Sequence, residues 1–291
     1  MRPKAPKNVP RNAARNPTQK GGQKDKRHFY PKPAHKPEKR EDAPVRRDPR
    51  TRSGAENWLY GLHAVKAALA NPRRQPERAV LTSRAAEAIG EKLLGRIRVE
   101  PAEMDAIGKL LPPGAVHQGA ALKCGPLTGY NLDDVLAADA GGKRRIVLVL
   151  DQISDPHNVG AILRTAAAFG ATAVIVQDRH APPQSGALAK AASGALEIVP
   201  YIEVVNIART LDQLAEHGFW RIALAGDSEQ TLAEANPVGD VALVLGSEGD
   251  GIRRLVRERC EAAAHVPMER SVESLNVSNA AAIALYELRR A

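Results

Sequence analysis

Three features of the sequence predict an α/β architecture in two unequal units. Apolar runs of strand length alternate with stretches of helical period along most of the chain. Two of the runs, Ile146-Val147-Leu148-Val149-Leu150 and Val241-Ala242-Leu243-Val244-Leu245, are apolar at every position, as strands buried on both faces require. The alternation pauses at a linker over residues 126–131, with Pro126, Thr128 and Gly129, and then restarts. A small α/β domain over residues 57–125 is therefore expected to precede a mainly parallel, doubly wound α/β domain over residues 132–291.

Composition limits what such a chain can do. Of 291 residues, 43% are hydrophobic but only 3% aromatic, so the core must be built from Ala, Val, Leu and Ile. No apolar run reaches the roughly 18 residues of a membrane span, and no secretory signal is visible. Cys124 and Cys260 are far apart and lack CxxC or His spacing. That argues against zinc and against a disulfide scaffold, and for a reduced cytoplasmic protein without a metal site. The charge is concentrated at the N-terminus. Residues 1–53 hold 17 Lys and Arg against 5 Asp and Glu, a net of +12, while the whole chain is +9. Nine prolines interrupt the same segment. With almost nothing apolar to bury, it is expected to be disordered, either as an electrostatic arm for nucleic-acid phosphates or as a solubilising extension.

In the first unit, folded sequence begins near Asn57-Trp58-Leu59-Tyr60-Gly61. The pattern then gives helices over 62–69, 84–94 and 102–111, and strands over 78–82, 97–99 and 119–123. The second unit opens with a helix over 132–138 and the buried strand 146–150. Helices over 157–169, 184–191, 207–217 and 252–259 follow, interleaved with strands over 173–176, 220–225 and 241–245. A strand running into Val266 and an Ala-rich closing helix complete the chain.

Three loops at the carboxyl ends of strands, where sheets of this kind place ligands, carry the polar residues. The first, from Asp151 to Ala166, contains Asn158, a plausible helix cap, Gly160, which permits close backbone approach, and Arg164, facing back toward the strand end. The second is Gly246-Ser247-Glu248-Gly249-Asp250-Gly251. It has neither the GxGxxG with a following acid of a dinucleotide fold nor the GK[ST] of a P-loop, which disfavours a dehydrogenase or an NTPase. The third runs from Val266-Pro267-Met268 to Ser274-Leu275-Asn276, and its Ser and Asn are suited to starting a helix. Taken singly, each loop reads as an ordinary cap or turn. Their order and spacing together are what stand out.

In that combination the sequence resembles the SpoU-type (TrmH-like) ribose 2'-O-methyltransferases of the SPOUT superfamily. The matching motifs are Asn158-x-Gly160-x-x-x-Arg164-x-Ala166, then Leu245-Gly246-x-Glu248-Gly249-x-Gly251, then Pro267-Met268 followed by Ser274-Leu275-Asn276-Val277-Ser278. Tyr60-Gly61-Leu62-His63-Ala64-Val65 and His117-Gln118-Gly119 resemble the L30e-like RNA-binding domain of a two-domain branch, similar to enzymes that methylate a guanosine of large-subunit (23S) ribosomal RNA. The resemblance implies a deep C-terminal trefoil knot, S-adenosylmethionine as cofactor, and a homodimer whose active site is completed across the interface. It implies ribosomal RNA, or alternatively tRNA, as substrate, with no DNA and no membrane partner. Asn158, Arg164, Glu248, Ser274 and Asn276 become the implied catalytic group. Gly246, Gly249, Val266, Met268 and Leu275 become the implied cofactor contacts. An Arg is hard to deprotonate, so Arg164 is expected to clamp phosphate and developing alkoxide, with Glu248 hydrogen-bonded nearby to orient it or relay the proton. Two positions depart from the family pattern: Arg270, where a small residue is usual, and Asn279, where an aliphatic one is. A non-catalytic RNA-binding ribosome-assembly factor that kept the fold remains the reading from another class.

Overall fold

A computed structural model describes residues 58–125, 127, 129–138, 141–269 and 274–290. The basic segment 1–53, Pro126 and Thr128 of the linker, and Arg270 lie outside the described residues.

The first unit is a four-stranded mixed sheet. Its elements are β1 (Trp58–Tyr60), α1 (Leu62–Ala70), β2 (Pro76–Leu81), α2 (Ser83–Ile89), α3 (Glu91–Leu94), β3 (Arg98–Pro101), α4 (Met104–Gly108) and β4 (Ala120–Cys124), with strand order β1-β4-β2-β3. β4 runs antiparallel to both β1 and β2, and β2 and β3 are parallel. The helix expected over 84–94 is two helices, because Gly90 at φ 91 and ψ 146 leaves helical space between them. β1 was not expected. Its three residues are all buried, so it shows no alternation to reveal it.

The second unit comprises α5 (Leu132–Leu136), β5 (Ile146–Asp151), α6 (Pro156–Ala168), β6 (Ala173–Gln177), α7 (Gly186–Ala192), β7 (Tyr201–Val204), α8 (Ile207–Glu216), β8 (Trp220–Leu224), β9 (Gln230–Thr231), α9 (Leu232–Ala235), β10 (Val241–Gly246), α10 (Arg254–Arg257), β11 (Ala262–His265) and α11 (Val277–Arg290). A 3-10 turn, Ala195–Glu197, precedes β7. The seven strands are ordered β7-β6-β5-β10-β8-β11-β9, with every pairing parallel. The expected strands are present; β7, β9 and α9 are additions. The helix read over 252–259 contracts to the four residues of α10.

The apolar runs behave as strands buried on both sides. Ile146, Leu148 and Leu150 face a core with Val159, Ile162 and Leu163 of α6 and Ala281, Ala284 and Leu285 of α11. Val147 and Val149 face a second core with Ile207, Leu211 and Leu214 of α8. From β5 the chain moves outward through β6 and β7, and β10 later returns to lie between β5 and β8. The strand order therefore reverses beside β5, and the carboxyl ends of β5 and β10 form the switch point where open α/β sheets place ligands.

Helix starts are set by local chemistry. Asp155, not Asn158, caps α6, accepting from His157 N at 3.0 Å with Pro156 as the first helical residue. A carboxylate is the better partner for the positive end of a helix, and this leaves Asn158 free for tertiary contacts. Gly160 is used for packing: a Cβ there would lie 2.8 Å from Ala192 N and collide with Ala191 of α7. Gly160→Ala is expected to cost about 1–3 kcal/mol through overpacking, which a denaturant titration would show as a lower midpoint.

Both cysteines are free thiols. Burial pushes Cys124 up to about 11 and Cys260 up to about 12. At pH 8 fewer than about one thiol in a thousand is then ionised, so both should alkylate orders of magnitude more slowly than a free cysteine in a mass-spectrometric time course. Equally fast labelling would contradict this packing.

Candidate active site

β5 and β10 end side by side, with Gly246 opposite Asp151. Beyond Gly246 the chain makes a closed turn in which Ser247 N donates to Gly251 O at 3.2 Å and Gly251 N donates back to Ser247 O at 3.0 Å. A Cβ on Gly246 would collide with the backbone of Gly251 and Ile252, so this close approach requires glycine. The turn presents Glu248.

Glu248 ties the three loops together. Its Oε1 accepts from Asn276 Nδ2 at 2.8 Å, from Asn158 Nδ2 at 3.3 Å and from the backbone N of Val277 at 3.3 Å. Asn276 Nδ2 also donates to Asn158 Oδ1 at 2.9 Å. On its other side, Asn276 Oδ1 accepts from Ser278 N at 2.9 Å and Ser278 Oγ at 2.6 Å, which starts α11. Residues from positions 158, 248 and 276 thus form one hydrogen-bonded set at the switch point.

Arg164 stands apart from that set. It is exposed on α6, six residues beyond Asn158, which is about 9 Å along the axis and roughly 120° around it. Among the described residues its guanidinium has no hydrogen bond or ion pair. The expected Glu248–Arg164 contact is not formed: Glu248 bonds the two asparagines and Val277, and Arg164 lies farther along and around α6. Ser274 is exposed and likewise has no hydrogen bond among the described residues. The other implied cofactor residues sit at the rim. Val266 follows β11 directly and is half-buried, Met268 is 38% exposed, Leu275 is half-buried beside Asn276, and Gly249 is exposed in the turn at φ 97. Asn279 is exposed on α11.

Polar lining that the motifs did not reveal lies at the neighbouring strand ends. Ser247 Oγ after β10, Ser228 Oγ in the loop after β8 and His265 Nδ1 at the end of β11 are buried without a hydrogen-bond partner among the described residues. Buried polar atoms are normally satisfied, so unpaired groups on three adjacent strand ends fit a bound polar ligand. Polar strand ends of this kind suit a nucleoside-bearing, zwitterionic cofactor such as S-adenosylmethionine. A surface cleft of about 580 Å³ lined by Tyr130, Asn131, Glu203 and Arg209 contains none of these groups. Chemistry rather than size therefore locates the site. No cluster of metal-ligating side chains occurs among the described residues.

A parallel sheet with its reversal at β5 and β10, and three joined loops at that point, define an open α/β domain with its ligand site at the switch point. The chain belongs to the SpoU rRNA Methylase family, which it matches over residues 145–286. It is 39% identical over 243 residues to the 23S rRNA (guanosine-2'-O-)-methyltransferase RlmB of Vibrio vulnificus, covering 81% of this chain and 97% of that protein. It is 41% identical over 248 residues to the protein of the same name from Yersinia pestis, at 80% and 96% coverage. Among solved structures, an RNA methyltransferase assigned to the TrmH family from Porphyromonas gingivalis has a TM-score of 0.61 at 27% identity, covering 80% of this chain and 89% of that one. The SpoU methyltransferase AviRb from Streptomyces viridochromogenes, solved with AdoMet, has a TM-score of 0.66 at 20% identity over 80% of this chain and 89% of that one, a likeness of fold alone.

Proposed function

We propose that this protein transfers a methyl group from S-adenosylmethionine to the ribose 2'-OH of a guanosine in 23S ribosomal RNA. The observation that carries the reading is the Glu248–Asn158–Asn276 network, which joins the three family loops at the switch point. The identity and coverage of the RlmB relatives support the choice of RNA.

S-adenosylmethionine supplies an activated methyl group with a good leaving group, so the chain has to orient the hydroxyl and help its proton leave. In this reading the backbone at Gly246, Gly249, Val266 and Leu275 and the side chain of Met268 hold the cofactor. Glu248 keeps Asn158 and Asn276 in one geometry. Ser274, whose hydroxyl has no partner among the described residues, hydrogen-bonds the ribose. Arg164 clamps the phosphate and the developing alkoxide by charge. Its distance from the Glu248 set accords with an active site completed across a homodimer. The exposed apolar side chains of Ile283 and Tyr286 on α11, which packs against α6, are suited to that interface. The passage of α11 through the preceding loop as a trefoil knot belongs to the same reading.

Residues 57–125, as an L30e-like domain, would grip structured RNA, with residues 132–291 as the catalytic domain. The basic segment 1–53 would add phosphate contacts. Its deletion should weaken RNA binding and flatten the dependence of log K on log salt, and an unchanged slope in a filter-binding series would remove it from the mechanism. The reading as a whole is tested by mapping ribose methylation in ribosomal RNA and tRNA from cells with and without this protein. Loss of one 23S guanosine 2'-O-methyl is expected, whereas a loss confined to tRNA would reassign the substrate.

A further inference from the structure

The turn that carries Glu248 is anchored by a second pair of side chains, outside the three motif loops' shared network. Asp151, at the end of β5, is fully buried. Its Oδ1 accepts from Arg253 Nε at 2.9 Å and Nη2 at 2.6 Å, and its Oδ2 accepts from the backbone N of Arg253 at 2.9 Å. Arg253 Nη2 also donates to Gln177 Oε1 at 2.9 Å, and Gln177 Nε2 donates to Val205 O at 3.2 Å. One guanidinium therefore links the end of β5, the end of β6 and the residue that closes the turn after β10.

The placement is specific. Asp151 is in register with Gly246, where the turn begins, and bonds Arg253, just beyond where it ends. Both ends of the turn are thereby tied to one residue position on β5. Between them lie the Ser247–Gly251 rung and Glu248. A buried carboxylate is expensive to keep, and apolar packing of similar volume would secure a turn at no such cost. What the planar fork adds is a fixed distance and direction.

We infer that Asp151 and Arg253 are positioning residues for the transfer step: they set the height of the Gly246–Gly251 turn so that Glu248 meets both Asn158 and Asn276. The inference rests on the methyltransfer reading above. Because the pair acts on the transfer step through Glu248, its loss should lower kcat only while Glu248 is present.

A double-mutant cycle tests this in the full-length chain, using Arg253→Gln, Glu248→Gln and the double variant. The readouts are kcat and KM for methyl transfer, the S-adenosylmethionine Kd by calorimetry without RNA, and thermal midpoints. Arg253→Gln is expected to lower kcat by 10- to 100-fold, with KM for RNA changed less than threefold, by analogy with the loss of a supporting contact (roughly 10–100-fold). In the Glu248→Gln background the same change should lower kcat by less than about threefold. The calorimetric Kd should rise severalfold in Arg253→Gln, since the turn begins at Gly246, and stay within twofold in Glu248→Gln. Effects on kcat that multiply in the double variant would overturn the inference, as would a single variant within twofold of wild type. If Arg253→Gln does not fold, Arg253→Lys, which keeps a cation on Asp151 but loses the fork, enters the same cycle under the same criteria. A wild-type chain that binds cofactor but methylates no RNA would instead sink the functional reading, and the Kd comparison would still report whether the pair sets the turn.

Discussion

Arg164→Ala should lose methyl transfer by at least about a hundredfold, the usual cost of removing a preorganised donor to developing charge. The S-adenosylmethionine Kd should stay within about threefold. The site dictates this asymmetry. Arg164 is exposed, is outside the Glu248 network and has no partner among the described residues, so its removal breaks no contact that shapes the cofactor loops. Stability should change by no more than about 0.5 kcal/mol, as for other surface substitutions. Single-turnover kinetics with calorimetry on the same preparation separates the two effects. Transfer persisting within tenfold would remove Arg164 from the chemistry, and a large loss of cofactor affinity would mean that it serves binding.

The largest loss of stability is expected at Glu197→Ala. Glu197 ends the 3-10 turn before β7 and forms a buried ion pair with Arg74 in the loop between α1 and β2, the side chains being 4% and 1% exposed. Arg74 Nε and Nη2 reach Glu197 Oε1 at 2.9 and 2.7 Å, and Asn71 Nδ2 donates to Oε2 at 2.7 Å. Arg74 Nη1 also donates to Gly125 O at 3.1 Å, at the head of the linker. This desolvated pair thus adds a polar tie between the smaller and larger sheets to the apolar core they share. Removing one partner strands the other charge in a buried site and should cost about 3–5 kcal/mol. For a folded body of this size that is a fall in Tm of about 6–20 °C. Arg74→Met with Glu197→Leu should recover much of the loss, because paired burial of charge is a weak source of stability once both charges are gone. A melting curve within 2 °C of wild type for Glu197→Ala would show that the pair is not desolvated as described.

How far the sequence reveals such features depends on whether the signal is local. The strands at 146–150 and 241–245 are legible because burial on both faces demands apolar residues without a break. The three loops are legible because hydrogen-bonding residues and glycines recur at set spacings beyond those strands. β1 shows no alternation because all three of its residues are buried. The start of α6 is misread at Asn158 because Asp155 and Asn158 are both competent caps. Only the fold shows that Asp155 caps while Asn158 reaches Glu248, 90 residues away. Glu248 stands out in the sequence by its place in the glycine-rich turn, but its partners are asparagines rather than Arg164, which the helical phase of α6 carries away from it. The Asp151–Arg253 and Arg74–Glu197 pairs join positions 102 and 123 residues apart, and nothing in either local stretch marks a partner.

The most direct test is to incubate the chain with S-adenosylmethionine labelled in its methyl group and 23S ribosomal RNA lacking modification, then digest the RNA and separate its nucleosides. The three-loop site predicts label in 2'-O-methylguanosine at a single position, abolished by Arg164→Ala and strongly reduced by Asn276→Ala. Label in a base-methylated nucleoside, or none in RNA from a chain that binds the cofactor, would contradict it.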